Sequence, residues 1–190
     1  MYTGEQLTAD IFDGDLYTVI ENKGGIDVGE YDVKLSLKDP INYKWEDDKD
    51  TIKFRITKAI PTLTKPTTKD LTYDRNEQKL VNEASTNGGV IKYSLDNKNW
   101  STSIPTGKDA KEYKVYYKVE EDKNYKGIDV QEITNKINPK TIDLQWDNEL
   151  TYNGKNQLPK ATATNLITDD ECNIVVEGAN KNAGTYKATA

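Results

Sequence analysis

Two runs of acidic residues, Glu46-Asp47-Asp48-Lys49-Asp50 and Thr168-Asp169-Asp170-Glu171, supply the oxygen ligands that a calcium ion takes. Neither has the Asp-x-Asp-x-Asp-Gly spacing of a dedicated calcium loop, so both read as solvated turns. Paired carboxylates also support glycoside hydrolysis, but acids occupy most loops here and no cleft element gathers two of them. Trp45, Trp100 and Trp146 offer flat faces on which a sugar could stack. Trp146 alternates with Leu144 and reads as core, and Trp100 lies beside a turn and reads as a cap. Cys172 reads as a small buried or incidental residue. With no histidine, Ser-His-Asp and Cys-His catalysis, imidazole metal sites and a His-based switch near neutrality are excluded. With one cysteine, an intrachain disulfide and a Cys-rich zinc site are excluded too. The sequence nominates no catalytic, metal or cofactor-binding residue, and the expectation is a non-enzyme.

Charge narrows the partners. Lys and Arg number 26 against 32 Asp and Glu, a net charge of −6. No basic stripe could track phosphates, so nucleic acid is not an expected partner. The apolar runs fall far short of the roughly 20 residues that span a bilayer, and no membrane partner is expected. No N-terminal segment has the charged-then-apolar form of a signal peptide.

Leu, Ile, Val and Phe make 39 of the 190 residues, close to the roughly one-fifth level at which disorder becomes the default. Twelve Tyr and three Trp raise the core-capable total. That total suits several small units better than one large globule.

The chain repeats itself. Leu71-Thr72-Tyr73-Asp74-Arg75-Asn76-Glu77-Gln78 is echoed by Leu150-Thr151-Tyr152-Asn153-Gly154-Lys155-Asn156-Gln157, and Tyr2-Thr3-Gly4-Glu5-Gln6-Leu7 is the same opener without its front. A second element, Gly25 to Val33, matches Gly107 to Val115 and Asn180 to Ala188, and Asn42-Tyr43 matches Asn124-Tyr125. A period of seventy to eighty residues exceeds solenoid repeats and fits a small β-domain.

Within each copy the pattern is β. Tyr113, Val115, Tyr117 and Val119 alternate on one face, as do Tyr31, Val33, Leu35 and Leu37. Ile52, Phe54 and Ile56 alternate in the first copy, and Ile91, Tyr93 and Leu95 in the second. Turn formers separate them: Asn22-Lys23-Gly24-Gly25, Asn87-Gly88-Gly89, Asp96-Asn97-Lys98-Asn99 and Asn153-Gly154. No apolar stripe holds helical spacing over three turns.

The expected organisation is a partial repeat over 1–58 lacking its leading strand, a complete repeat over 59–139, and a partial repeat over 140–190 lacking its closing strands. The 190 residues read as a slice of a longer tandem array. The two deficits are complementary, so head-to-tail strand exchange between copies is an expectation.

The middle repeat resembles the tandem repeats of Gram-positive bacterial surface proteins. The residues that carry this are Leu71-Thr72-Tyr73, Tyr93-Ser94-Leu95-Asp96, Trp100-Ser101, Ile104 to Ala110 and Tyr113 to Tyr117. Asn182-Ala183-Gly184-Thr185-Tyr186 and Tyr152-Asn153-Gly154-Lys155 are similar to MBG-type and Ig-like repeats of cell-wall adhesins. Lys111 and Arg75-Asn76 depart from that pattern, where glycine and an Asn-Gly turn are usual. The resemblance implies an all-β chain of small Ig-like β-sandwich repeats displayed outside the cell, with neighbouring repeats of the chain as partners. β-Grasp-like units are the alternative, disfavoured because no amphipathic helix is there to cross the sheet. It implies a non-catalytic spacer, or alternatively an adhesive module for a host or polysaccharide ligand. Some such domains carry Lys–Asn isopeptide bonds; the plentiful lysines and asparagines here read as solvated.

Overall fold

In a computed structural model describing residues 1–147 and 149–190, the repeated openers fold into one repeated turn. The residue after each opener tyrosine accepts a hydrogen bond on its side-chain oxygen from the backbone N–H two positions on. The bonds are Glu5 N to Thr3 Oγ1 at 3.3 Å, Asn76 N to Asp74 Oδ1 at 2.9 Å and Lys155 N to Asn153 Oδ1 at 2.9 Å. The residue between is left-handed in all three copies: Gly4 at φ 86°, Arg75 at 70° and Gly154 at 73°. Arg75 therefore adopts what its two counterparts adopt as glycine, at a cost of roughly 1–2 kcal/mol.

Each opener then bridges to the start of the second element. Leu7 and Gly25 exchange bonds of 2.8 and 2.9 Å, and Gln157 and Asn180 exchange bonds of 2.9 and 3.1 Å. In the middle copy the same job falls to a pair of two-residue strands, Gln78–Lys79 and Thr106–Gly107.

The described residues hold strands and turns and no helix. The strands are β1 (Tyr17–Glu21), β2 (Gly29–Leu37), β3 (Thr51–Ile56), β4 (Leu63–Thr64), β5 (Leu71–Thr72), β6 (Gln78–Lys79), β7 (Ser85–Thr86), β8 (Val90–Ser94), β9 (Thr106–Gly107), β10 (Glu112–Glu120), β11 (Ile128–Asn138), β12 (Leu144–Asp147) and β13 (Lys160–Ala163). The chain is all-β.

Two compact units are present. The first takes Met1–Lys69, Lys79–Thr106 and Glu112–Asn135; the second takes Asp70–Gln78, Gly107–Lys111 and Lys136–Ala190. In the first unit β1, β2 and β3 form an antiparallel sheet in that order, β4 pairs antiparallel with β7, and β10 lies between β8 and β11. In the second unit β5 runs parallel to the end of β11, with Leu71 opposite Ile137, and β12 pairs antiparallel with β13.

Alternation decides what is buried. In β10, Val115, Tyr117 and Val119 face inward at 0, 4 and 2 % exposure, while the polar residues between them stay at least partly open. In β2, Val33 and Leu35 are buried, joined by Ile56 of β3. Leu95 stands 45 % exposed because β8 ends at Ser94 and the chain turns away. Among the described residues, no buried side-chain nitrogen or oxygen lacks a hydrogen-bond partner. The Ala84 N–H donates to the Tyr93 hydroxyl at 2.9 Å, and the Asn135 amide donates to the Leu80 carbonyl at 2.5 Å.

Each closing strand takes a bond from an opener: the Tyr2 N–H donates to the Thr57 carbonyl at 2.7 Å and the Tyr73 N–H to the Asn138 carbonyl at 2.8 Å. Residues 141–190 are different. No described residue there is buried, so the third copy has the turn and the bridge without the interior.

The turn that leads from β7 into β8 passes through Gly89, at φ +73°. A Cβ there would stand 2.5 Å from the Glu120 carbonyl oxygen and 2.6 Å from Val119 Cγ1. Gly89→Ala is expected to destabilise by at least about 1 kcal/mol, read as a lower melting temperature by circular dichroism with the folded spectrum retained.

Candidate functional site

Arg75 is held in its left-handed turn by acids of the second acidic run. Its guanidinium lies 3.4 Å from Asp169 Oδ2 and 3.8 Å from Asp170 Oδ1, and it also donates to the Thr168 carbonyl. The Tyr73 hydroxyl donates to Asp170 Oδ1 at 3.2 Å, and desolvation together with that carboxylate raises the Tyr73 pKa. The clasp engages one carboxylate oxygen each of Asp169 and Asp170 and the Thr168 carbonyl, within the run that read as a calcium candidate. Arg75-Asn76 was legible in the sequence as a departure from an Asn-Gly turn; the partner of Arg75, ninety-odd residues on, was not. Beside the clasp is a hollow of about 510 Å³ lined by Tyr73, Pro139, Ile142, Leu166, Asp170 and Cys172, among others. Cys172 is exposed rather than buried.

In the first unit, Asp27 gathers Lys123 and Asn124. Lys123 Nζ lies 2.5 Å from Asp27 Oδ2, the Asn124 amide donates to Asp27 Oδ1 at 2.9 Å, and Asn124 Oδ1 accepts the Val28 N–H at 2.9 Å. A lysine, an asparagine and a carboxylate are the groups of an isopeptide bond, but the electrostatics oppose one. Lys123 is held protonated by Asp27, its pKa raised, so its nitrogen lacks the lone pair needed to attack a carbonyl. The Asp27 pKa is lowered in turn by Lys123 and Asn124. The trio fastens the start of the second element in the first copy to the Asn-Tyr element of the middle copy.

Three further aspartates organise turns. Asp96 Oδ1 accepts the Lys98 and Asn99 N–H groups at 2.9 and 2.8 Å, and Asp39 Oδ1 accepts those of Ile41 and Asn42 at 3.2 and 3.1 Å. Each also takes an amide bond from the asparagine three residues on. Asp122 binds the N–H groups of Gly89, Asn124 and Tyr125 at 2.9, 2.8 and 2.7 Å. These bonds favour the ionised form, so all three pKa values lie below the ordinary aspartate value, Asp96 furthest, through its backbone bonds to Asn99 and Lys98. A depressed folded-state pKa stabilises above the unfolded value and loses that contribution as pH falls through the folded one. The melting temperature is therefore expected to hold through neutral pH and to fall below the ordinary aspartate range. Carboxyl carbon titration by NMR should find Asp96 the last of the three to protonate.

The tryptophans sit apart. Trp100 is half-buried with the Lys118 ammonium 4.6 Å from its ring centroid, a cation–π contact that covers one face. Trp45 lines a depression of about 400 Å³ with Tyr43, Leu35, Asp48 and Asp50. Trp146 does not lie in a closed core: it is half-buried in β12, with neighbouring Leu144 37 % exposed. It lines a groove of about 340 Å³ with Leu150, Tyr152, Gln157, Asn180 and Tyr186. Among the described residues, no three carboxylate, cysteine or histidine side chains converge as a metal site would require. No family model, no curated protein and no solved structure matches this chain.

Proposed function

We propose that this chain is a non-catalytic spacer segment of a bacterial cell-surface protein, built from tandem Ig-like β-repeats and displayed outside the cell. The observation that carries the reading is the threefold recurrence of one hydrogen-bonded frame. The opener turn and its bridge to the second element form in all three copies, and the opener-to-closing-strand bond forms in two. A frame that recurs along one chain suits a part whose task is to be repeated.

The sandwich reading has its own support. The neighbours β8-β10-β11 reproduce a C-F-G order, and a leading segment that pairs first with β7 and then parallel with β11 behaves like a strand shared between two sheets. The Tyr31 hydroxyl donates to the Asp27 carbonyl four residues upstream at 2.8 Å, as in a tyrosine corner. Charged groups pair on the surface, Lys114 with Glu132 at 3.1 Å and Lys58 with Glu121 at 3.1 Å, where each pair contributes about 0–1 kcal/mol.

A second reading, adhesion to a polysaccharide, is favoured by the Tyr43–Trp45 depression, where aromatic faces lie beside the carboxylates of Asp48 and Asp50. Stretching the chain between its ends tests the first reading, which expects successive ruptures and no response to soluble glycans. A glycan that raises the melting temperature, with the effect lost in Trp45→Ala, would move the assignment to the second.

A further inference from the structure

Asparagine followed by glycine occurs twice, at Asn87-Gly88 and Asn153-Gly154, and the two pairs are held in opposite ways. Asn153 sits in the opener turn, where its Oδ1 accepts the Lys155 N–H at 2.9 Å. That bond closes a ring containing both the carboxamide carbon and the Gly154 nitrogen, so the two are folded toward each other. Asn153 is exposed. Beyond the chain neighbours of Gly154, only the Tyr152 hydroxyl comes within 4.0 Å of where a Cβ would stand. Asn87 is engaged elsewhere. Its Oδ1 accepts the Thr62 N–H at 2.8 Å, beside the β4–β7 pair, which directs the carboxamide to another segment. Gly88 is pinned as well. Its N–H donates to Thr86 Oγ1 at 3.3 Å, its carbonyl accepts from that hydroxyl at 2.7 Å, and the Tyr125 ring packs against it.

We infer that Asn153-Gly154 is a self-modification site, where the chain converts its own carboxamide to a carboxylate. The Gly154 nitrogen attacks Asn153 Cγ and gives up its proton to water. The new C–N bond closes a succinimide, and the former amide nitrogen leaves as ammonia. The Lys155 N–H donates to the oxygen on which negative charge develops, as an oxyanion donor does, and the turn supplies the approach. Water then opens the ring. Attack at the former side-chain carbonyl leaves aspartate; attack at the backbone carbonyl leaves isoaspartate, whose main chain is longer by a methylene. The net change consumes a water and releases an ammonia, with no oxidant or reductant. Neither of the other two copies carries a carboxamide at this position: the first has the Thr3 hydroxyl and the middle one the Asp74 carboxylate. Asp74 accepts the same turn bond at 2.9 Å, so the aspartate product keeps the frame while adding a negative charge. This goes beyond the spacer reading and does not depend on surface display.

Peptide-resolved mass spectrometry of the full chain, aged in mildly alkaline buffer with and without guanidinium chloride, tests it. In the folded chain Asn153 is expected to convert on the order of tenfold faster than Asn87, and in the denaturant the two rates should converge. Gly154→Ala places a side chain beside the attacking nitrogen and is expected to slow conversion at Asn153 several-fold. The turn tolerates it, because Arg75 already adopts the same left-handed backbone in the middle copy. Asn87 converting as fast as Asn153 in the folded chain overturns the inference. So does a contrast that persists in denaturant, or a rate at Asn153 that ignores Gly154→Ala.

Discussion

Ile137→Ala is expected to remove about 2–5 kcal/mol of stability, whereas Leu150→Ala should stay within roughly 0.5 kcal/mol. Ile137 has no exposed surface; it lies opposite Leu71, and its N–H donates to the Lys111 carbonyl at 3.1 Å. Truncation there loses the transfer free energy of three methyl(ene) groups and leaves a cavity that a strand paired on both edges cannot collapse to fill. Leu150 belongs to an opener of the same sequence type but keeps nearly half its surface in water, so the smaller side chain forfeits little. Urea unfolding of the two variants, compared by midpoint at constant slope, checks the contrast. Equal losses at both positions would mean that the third copy has an interior of its own.

Tyr93→Phe is expected to cost about 1–3 kcal/mol, a large effect for the loss of one oxygen. Tyr93 is 3 % exposed and Ala84 5 %, so the Ala84 N–H that the hydroxyl accepts at 2.9 Å has no water to turn to once the oxygen is gone. The ring stays, so packing is conserved and the loss isolates the bond. Tyr93→Ala adds the cavity, for a total of about 3–5 kcal/mol or more. Tyr93 also exchanges backbone bonds of 2.7 and 2.9 Å with Ser101, which neither variant touches. Thermal melts of both variants should therefore keep the β spectrum of the folded chain at low temperature. A Tyr93→Phe variant as stable as the parent would mean that the Ala84 N–H has another partner.

What the sequence displays clearly is whatever depends on period two. The inward face of β10 could be read from Tyr113 to Val119 because each step along a strand turns the side chain over, and the burial of Val115, Tyr117 and Val119 follows it. The recurrent turns were legible for a similar reason, since Asn-Gly and Asp-x-x-Asn carry their own local hydrogen bonds. Contacts between segments far apart in sequence were not legible. Nothing near Arg75 announces Asp169 and Asp170, and nothing near Asp27 announces Lys123 and Asn124. Trp146 shows the limit from the other side. Its alternation with Leu144 reads as a core face, but alternation does not say whether a second layer covers that face: Leu144 is exposed and Trp146 lines an open groove. Cys172, too, follows the chain's exposure there rather than its own preference for burial.

Native-state hydrogen exchange, resolved by residue in dilute solution, tests the central claim most directly: one frame recurs three times, and only two of its copies enclose an interior. The slowest amides should lie in β8, β10 and β11, with β2 and β3 protected to a lesser degree and the bridge at Gln157 and Asn180 exchanging close to the rate of local opening. Protection over residues 141–190 equal to that of β10, or a single opening free energy shared by the whole chain, would contradict it.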